Sequence, residues 1–120
     1  MAVDPTGTDL KRFLAEDPGG PVVMLNLLRF APDGGREQYA AYLAHFRTSS
    51  ASYGAKLLCL SEGSTSVVGE RWDALLVVEY PSRQHFSDML RDPAYQNGTH
   101  LRTGALTEAV LQATTPWDLP

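Results

Sequence analysis

Two stretches of the chain are apolar at nearly every position. Residues 22–30 read Val-Val-Met-Leu-Asn-Leu-Leu-Arg-Phe, and residues 74–80 read Ala-Leu-Leu-Val-Val-Glu-Tyr. A strand with one face in water alternates apolar and polar side chains, whereas a strand covered on both faces is apolar throughout. The pattern therefore predicts two central strands, at 21–30 and 74–80, with protein on both sides of their sheet.

A helical period replaces this pattern between residues 36 and 52. Tyr39, Tyr42, Leu43 and Phe46 recur at i, i+3, i+4 and i+7, which places them on one face of a helix. Gly54 follows where a helix C-cap glycine is common. We predict an amphipathic helix whose aromatic face lies against the sheet.

A second helix is predicted over residues 83–91. Pro81 ends the preceding strand, and Ser82 stands where a helix N-cap is favoured. Phe86, Met89 and Leu90 then share one helical face. This helix should pack on the same face of the sheet as the first.

The remaining elements are shorter. We expect a helix over 9–15 capped by Thr8, strands over 55–61, 65–69 and 107–113, and helical turns that begin at Asp92 and Thr99. The segment 65–69 is either a short strand or a continuation of the strand before it. The main order is β-α-β-β-α-β, which is typical of a ferredoxin-like α+β fold with an antiparallel sheet. We therefore divide the chain into an N-terminal extension with a short helix (1–20), a ferredoxin-like α+β barrel domain (21–114) and a C-terminal tail (115–120).

Both helices of such a domain cover the same sheet face, so the apolar second face needs another cover. The simplest cover is a second copy of the same sheet. The sequence therefore predicts a homodimer that forms a dimeric α+β barrel.

Charge and cysteine content narrow the partners and the compartment. The chain has 10 Lys and Arg against 14 Asp and Glu, a net charge of −4, and its cations are dispersed. Nucleic acid binding needs a clustered basic footprint, so we exclude it. No apolar run approaches the ~20 residues of a membrane span, so we expect no membrane partner. Cys59, the single cysteine, lies in an apolar run and predicts a buried, inert thiol in a cytoplasmic protein.

Four short segments resemble a known bacterial family, the domain of unknown function thirteen-thirty family. They are Pro-Val-Val-Met-Leu-Asn-Leu-Leu-Arg-Phe at 21–30, Gly-Arg-Glu-Gln-Tyr-Ala-Ala-Tyr at 35–42, Glu-Arg-Trp-Asp-Ala-Leu-Leu-Val-Val-Glu-Tyr-Pro-Ser-Arg at 70–83, and Met-Leu-Arg-Asp-Pro-Ala-Tyr-Gln at 89–96 with His-Leu-Arg at 100–102. The resemblance implies the dimeric α+β barrel superfamily. That superfamily includes cofactor-free monooxygenases, muconolactone isomerases, polyketide cyclases and haem enzymes, while the family itself has no single established reaction.

Polar residues that interrupt apolar elements are the candidates for chemistry. Asn26 lies mid-strand, where its amide either bonds internally or donates to a ligand oxygen. His100 is a candidate acid or base near neutral pH. Arg102 either holds a ligand carboxylate or enolate oxygen or forms an ion pair within the fold, with Asp73 or Asp92 as its partner. Asp73 itself caps a turn, pairs with an arginine or acts as a general base.

Aromatic residues could line a cleft between helix and sheet. Trp72 is a packing anchor or a stacking platform, and the tyrosines are core residues or contacts for a flat ligand. The candidate substrate-binding set is Asn26, Arg102, Tyr39, Tyr42, Trp72, Tyr80 and Tyr95, and the candidate catalytic pair is His100 and Asp73. No metal-ligand spacing, phosphate loop or dinucleotide fingerprint occurs, so we expect no metal and no cofactor.

Two functions remain open. The first is a small enzyme that acts by proton transfer on a small organic acid, a lactone or an aromatic, polyketide-like substrate, as an isomerase, cyclase or cofactor-free monooxygenase. The second is a non-catalytic module of the same fold that binds a ligand or serves assembly. Convergence of His100, Asp73 and Asn26 on one cavity would favour the enzyme.

Overall fold

The computed structural model describes residues 2–120. The chain forms, in order, α1 (Gly7–Ala15), β1 (Val22–Phe30), α2 (Gly35–Ser49), a 3₁₀ turn (Ala51–Tyr53), β2 (Lys56–Glu62), β3 (Ala74–Tyr80), α3 (Arg83–Arg91), α4 (Pro93–Gln96), α5 (Thr99–Thr103) and β4 (Leu106–Thr114). Within these described residues, no helix is long and apolar enough to cross a membrane.

The four strands form one antiparallel sheet in the order β2-β3-β1-β4. Leu25 of β1 pairs with Val77 of β3 on one side and with Gln112 of β4 on the other. The two hydrophobic strands are therefore the central pair, as their composition predicts. This order and the α+β succession confirm the ferredoxin-like fold.

Side chains on one sheet face form the core with the helices. Every second residue of β3, from Ala74 to Tyr80, is buried, and the same holds for β1 from Val22 to Leu28. Aromatic residues of α2 and α3 pack on this face. The helix-side core contains Val22, Met24, Leu28, Tyr39, Tyr42, Phe46, Ala74, Leu76, Val78, Tyr80, Phe86 and Met89.

The opposite sheet face, which we call the open face, is apolar although no helix covers it. Leu27 lies at its centre, paired with Leu75 of β3 and Val110 of β4. These side chains are half-buried, since strand neighbours shield only their flanks. The open face thus explains why β1 and β3 lack the alternation of a half-exposed strand.

The start of α1 differs from the sequence prediction. The N-cap is Thr6 rather than Thr8, because Thr6 and Asp9 form a reciprocal capping box. The Thr6 hydroxyl accepts from the Asp9 backbone N–H at 3.1 Å, and the Asp9 carboxylate accepts from the Thr6 N–H at 2.9 Å. Two orphan backbone donors are satisfied by this cap, whereas Thr8 lies inside the helix.

Two further predictions are wrong. Residues 65–69 form a loop rather than a strand, and Val67 and Val68 are more than nine-tenths exposed. Cys59 is exposed rather than buried, because β2 is an edge strand with a register shift between Leu57 and Cys59. Sequence alone does not tell an edge strand from a central one when both are apolar.

Candidate small-molecule site

A cavity of about 430 Å³ lies between the helices and the helix side of the sheet. This volume falls in the range of small-molecule sites. Most of its lining is aromatic or aliphatic, with a few polar groups set among these side chains. The aromatic residues that line it are Tyr39, Tyr42, Phe46, Tyr80, Phe86 and Tyr95.

Four tyrosines reach the cavity from three elements. Tyr39 and Tyr42 project from the buried face of α2, and Tyr80 is the last residue of β3. Tyr95 comes from α4, whose position is fixed by a hydrogen bond between His45 Nε2 and the Tyr95 carbonyl at 3.0 Å. The helical period and the strand end thus bring distant tyrosines together.

The hydroxyls of Tyr42 and Tyr95 form a buried hydrogen bond of 2.9 Å. Burial raises the pKa of Tyr42 well above its usual value, and burial also raises the pKa of Tyr95. The pKa of Tyr80 is raised for the same reason. These hydroxyls therefore keep their protons at neutral pH and act as hydrogen-bond donors rather than as bases.

Tyr39 and Arg102 are neighbouring polar residues of the cavity wall. They are only 2% and 6% exposed. Burial raises the pKa of Tyr39 to about 12, and the adjacent Arg102 guanidinium offsets part of the increase. The Arg102 guanidinium lies close enough to interact with the Tyr39 hydroxyl, but no hydrogen bond of normal geometry joins them. The Tyr39 hydroxyl and one terminal nitrogen of Arg102 (Nη2) thus have no well-formed hydrogen bond within the described chain.

Asn26 lies in the cavity wall at the middle of β1. Its Nδ2 donates a long hydrogen bond of 3.4 Å to the Leu76 carbonyl. Of the two roles open for Asn26, the internal hydrogen bond is therefore present but weak, and the residue also borders the cavity.

The N-terminal extension closes one side of the cavity. Asp4, Pro5 and Leu10 all line it. The Nη1 atom of Arg102 donates to the Val3 carbonyl and, at 2.8 Å, to the Asp4 carboxylate. The Asp4 carboxylate also accepts from the Thr103 hydroxyl at 2.6 Å. Sequence reasoning missed Asp4, since an acidic residue in a polar terminal segment gives no periodic signal.

The two candidate catalytic residues lie away from the cavity lining. His100 is exposed on α5, and its backbone carbonyl accepts a hydrogen bond from Gln38. Asp73 precedes β3, where its carboxylate accepts from the Phe30 N–H and from Arg71, each at 2.9 Å. The Arg71 contact is the arginine pair that is one of the roles open for Asp73, whereas the bond from the Phe30 N–H joins Asp73 to β1 and is not a cap of its own turn.

Trp72 also lies outside the cavity lining. The guanidinium of Arg29 stacks over its ring at 4.1 Å from the centroid, which is a cation–π contact at the end of β1. The structure therefore brings together six of the nine predicted site residues, namely Asn26, Arg102, Tyr39, Tyr42, Tyr80 and Tyr95.

No group of three or more His, Cys, Asp or Glu side chains within residues 2–120 is arranged to hold a metal ion. The polar groups of the cavity are instead mostly hydroxyl, amide and guanidinium donors, with the Asp4 carboxylate as an acceptor that Arg102 and Thr103 already occupy. Such a set suits an organic ligand with oxygen acceptors. Fold and cavity together define the chain as a ferredoxin-like α+β domain with an aromatic internal cavity.

A family model described as Domain of unknown function (DUF1330) matches residues 34–114. The chain belongs to this family, as its sequence segments indicate. A crystal structure of a protein of unknown function from Rhodopseudomonas palustris is 31% identical, with a TM-score of 0.88 and 98% of each chain covered. The methylated form of that protein is 33% identical, with a TM-score of 0.87, and the match covers 98% of this chain and 96% of that chain.

Two more distant structures share the fold alone. A protein from Thermobifida fusca described as dimeric and ferredoxin-like is 12% identical, with a TM-score of 0.60, over 82% of this chain and 93% of that chain. A protein from Jannaschia described in the same terms is 10% identical, with a TM-score of 0.64, over 81% of this chain and 100% of that chain. No curated protein matches the chain.

Proposed function

We propose that this protein binds a small, mostly apolar organic molecule in the cavity between its helices and its sheet. The observation that carries the proposal is the cavity itself, about 430 Å³ in volume and lined by six aromatic rings. Close-packed cores leave few voids of this size. Buried donors on Tyr39 and Arg102 add polar groups that orient a ligand.

A titration with small aromatic probes tests the proposal. We expect 2-naphthoate or its neutral isostere 2-naphthamide to bind one site per chain, as measured by calorimetry. In the Gln96→Trp variant the new indole is placed at an exposed residue that lines the cavity, so binding should weaken at least about tenfold. The matched control is Gln84→Trp, at an exposed position of α3 that does not line the cavity. Equal binding by both variants would contradict the proposal.

A second candidate is the proton-transfer enzyme, an isomerase, cyclase or cofactor-free monooxygenase. The bonded hydroxyls of Tyr42 and Tyr95 favour it, because protonated donors beside Arg102 could stabilise an enolate oxygen. His100 and Asp73 do not line the cavity, so this candidate has less geometric support than binding alone. Conversion of a bound lactone or polyketide-like probe, detected by mass spectrometry and lost in Tyr42→Phe, would establish it. An unchanged probe would favour the binding module.

The functional unit that we propose is a cytoplasmic homodimer in which two open faces meet. The apolar residues Leu27, Leu75 and Val110 at the centre of that face support it. A free, exposed thiol at Cys59 fits a reducing compartment.

A further inference from the structure

We propose that Arg102 and Tyr39 form an anion subsite, so that the ligand of this cavity is an aromatic or other flat molecule with a carboxylate. This inference rests on the proposed function and names the class of ligand. It assigns the carboxylate to one end of the cavity and the apolar body to the aromatic lining.

Two hydrogen-bond donors at one end of the cavity lack partners. The Tyr39 hydroxyl and Arg102 Nη2 are buried and have no well-formed hydrogen bond within the described chain. Nearly all buried polar atoms in proteins are paired, and leaving one unpaired is unfavourable. Because both residues line the same cavity, a ligand oxygen that reaches these two atoms would satisfy both donors.

The Arg102 guanidinium divides its donors between the N-terminal extension and the cavity. Its Nη1 already donates to the Val3 carbonyl and to the Asp4 carboxylate, while its Nη2 remains unpartnered. A guanidinium can serve two acceptors at once because its donors are fixed in a planar fork. Arg102 can therefore hold the N-terminal extension on one side and a ligand carboxylate on the other.

The charged residues of the cavity lining differ in their exposure to solvent. Three charged residues line the cavity, namely Asp4, Arg91 and Arg102, and of the two cations Arg91 is exposed and screened by solvent whereas Arg102 is buried. The Asp4 side chain is 44% exposed and the Arg102 side chain 7%. Solvent thus screens the carboxylate of this pair more than the guanidinium, which favours an anion over a neutral or cationic ligand.

The test compares 2-naphthoate with 2-naphthamide, which has the same shape without the charge. We expect the wild-type protein to bind the acid about tenfold or more tightly than the amide, since charge-assisted hydrogen bonds are the stronger ones. Tyr39→Phe and Arg102→Lys should each move this ratio toward one. Tyr39→Phe should also unfold at the same or a higher denaturant concentration than wild type, because it removes a buried hydroxyl that has no partner in the free protein.

A matched control separates the subsite from general electrostatics. Arg91→Gln removes an exposed cation from the lining, and solvent screening limits its effect to about twofold. If Arg102→Lys fails to fold, the ratio of acid to amide affinity in Tyr39→Phe tests the subsite on its own. The subsite would be overturned if acid and amide bound equally well at the site that Gln96→Trp blocks, or if the ratio of acid to amide affinity were unchanged in Tyr39→Phe. Either result would leave the proposed function standing. If neither probe binds, both fail.

Discussion

Tyr39 keeps its proton in the folded protein beyond the pH at which an exposed tyrosine ionises. Burial raises its pKa from 10.0 to about 12. Between these values the folded state binds more protons than the unfolded state, so the free energy of unfolding falls as pH rises. For one such group the loss approaches about 1.4 kcal/mol per pH unit.

The first prediction follows from this decrease in the free energy of unfolding with rising pH. The stability of the wild-type protein should fall steeply above pH 10.0, since the unfolded form of Tyr39 loses its proton first. The slope should be shallower in Tyr39→Phe, as measured by urea unfolding at a series of alkaline pH values. Parallel slopes for the two proteins would show that Tyr39 is not the buried group we describe.

At the scale of single residues, the sequence predicts the cavity better than its chemistry. Asn26 and Tyr39 are identifiable because an amide interrupts a strand and a tyrosine repeats at helical spacing. His100 lies two residues from Arg102 on the short helix α5, yet it is exposed while Arg102 is buried. A five-residue helix has too little periodicity to show which of these side chains turns inward.

At the scale of elements, α1 is attached to the fold by polar contacts and by two partly buried apolar side chains, Leu10 and Phe13. It has no buried residue of its own. Arg83 donates to the Phe13 carbonyl at 2.7 Å and stacks on the Phe13 ring, while Arg102 donates to Asp4 ahead of the helix. The extension therefore lies over the cavity and is the element that we expect to open most readily.

A second prediction concerns this attachment. Asp4→Ala removes the acceptor of Arg102 and Thr103, so amide hydrogen exchange across α1 should accelerate while that of β1 stays unchanged. The loss of stability should be about 1–3 kcal/mol, because the Asp4 carboxylate is partly solvated but its removal leaves the buried Arg102 guanidinium with one acceptor fewer. Arg12→Gln, which breaks the exposed Arg12–Asp9 pair, is the control. Unchanged exchange in Asp4→Ala would show that α1 is held by other contacts.

Element boundaries can be predicted from sequence where a proline or a capping residue marks the end of an element. β3 and α3 have the predicted bounds, because Pro81 ends one and the Ser82 hydroxyl caps the other by accepting from the His85 N–H at 3.1 Å. The segment 65–69, for which the sequence predicts a short strand or a continuation of the preceding strand, is instead a loop. Gly63 lies so close to the Trp72 carbonyl that any side chain there would collide with it, and that close approach is a tertiary property.

At the scale of the whole molecule, the open face is the feature that the single chain leaves incomplete. Its central side chain, Leu27, lies between two apolar neighbours with no helix above it. Sequence pattern predicts that this face is covered. The cover must come from a second surface, and the same face of a second copy is the simplest one.

The third prediction tests the homodimer. Light scattering at micromolar concentration should give twice the chain mass of 13.1 kDa. Leu27→Glu should shift the mass toward that of one chain, because it places a charge at the centre of the open face. Leu27→Met conserves volume and should remain dimeric. A wild-type mass near 13.1 kDa would contradict a covered open face.

The most direct test of the proposed binding site uses the cavity's own methionines. Met24 and Met89 both line the cavity and are only 3% and 1% exposed, so their isotope-labelled methyl groups report on its interior by NMR. Addition of 2-naphthoate should shift both methyl resonances and give nuclear Overhauser contacts to the naphthyl protons, and Gln96→Trp should weaken both effects. Binding of 2-naphthoate that leaves Met24 and Met89 unperturbed would place the ligand elsewhere and contradict the account.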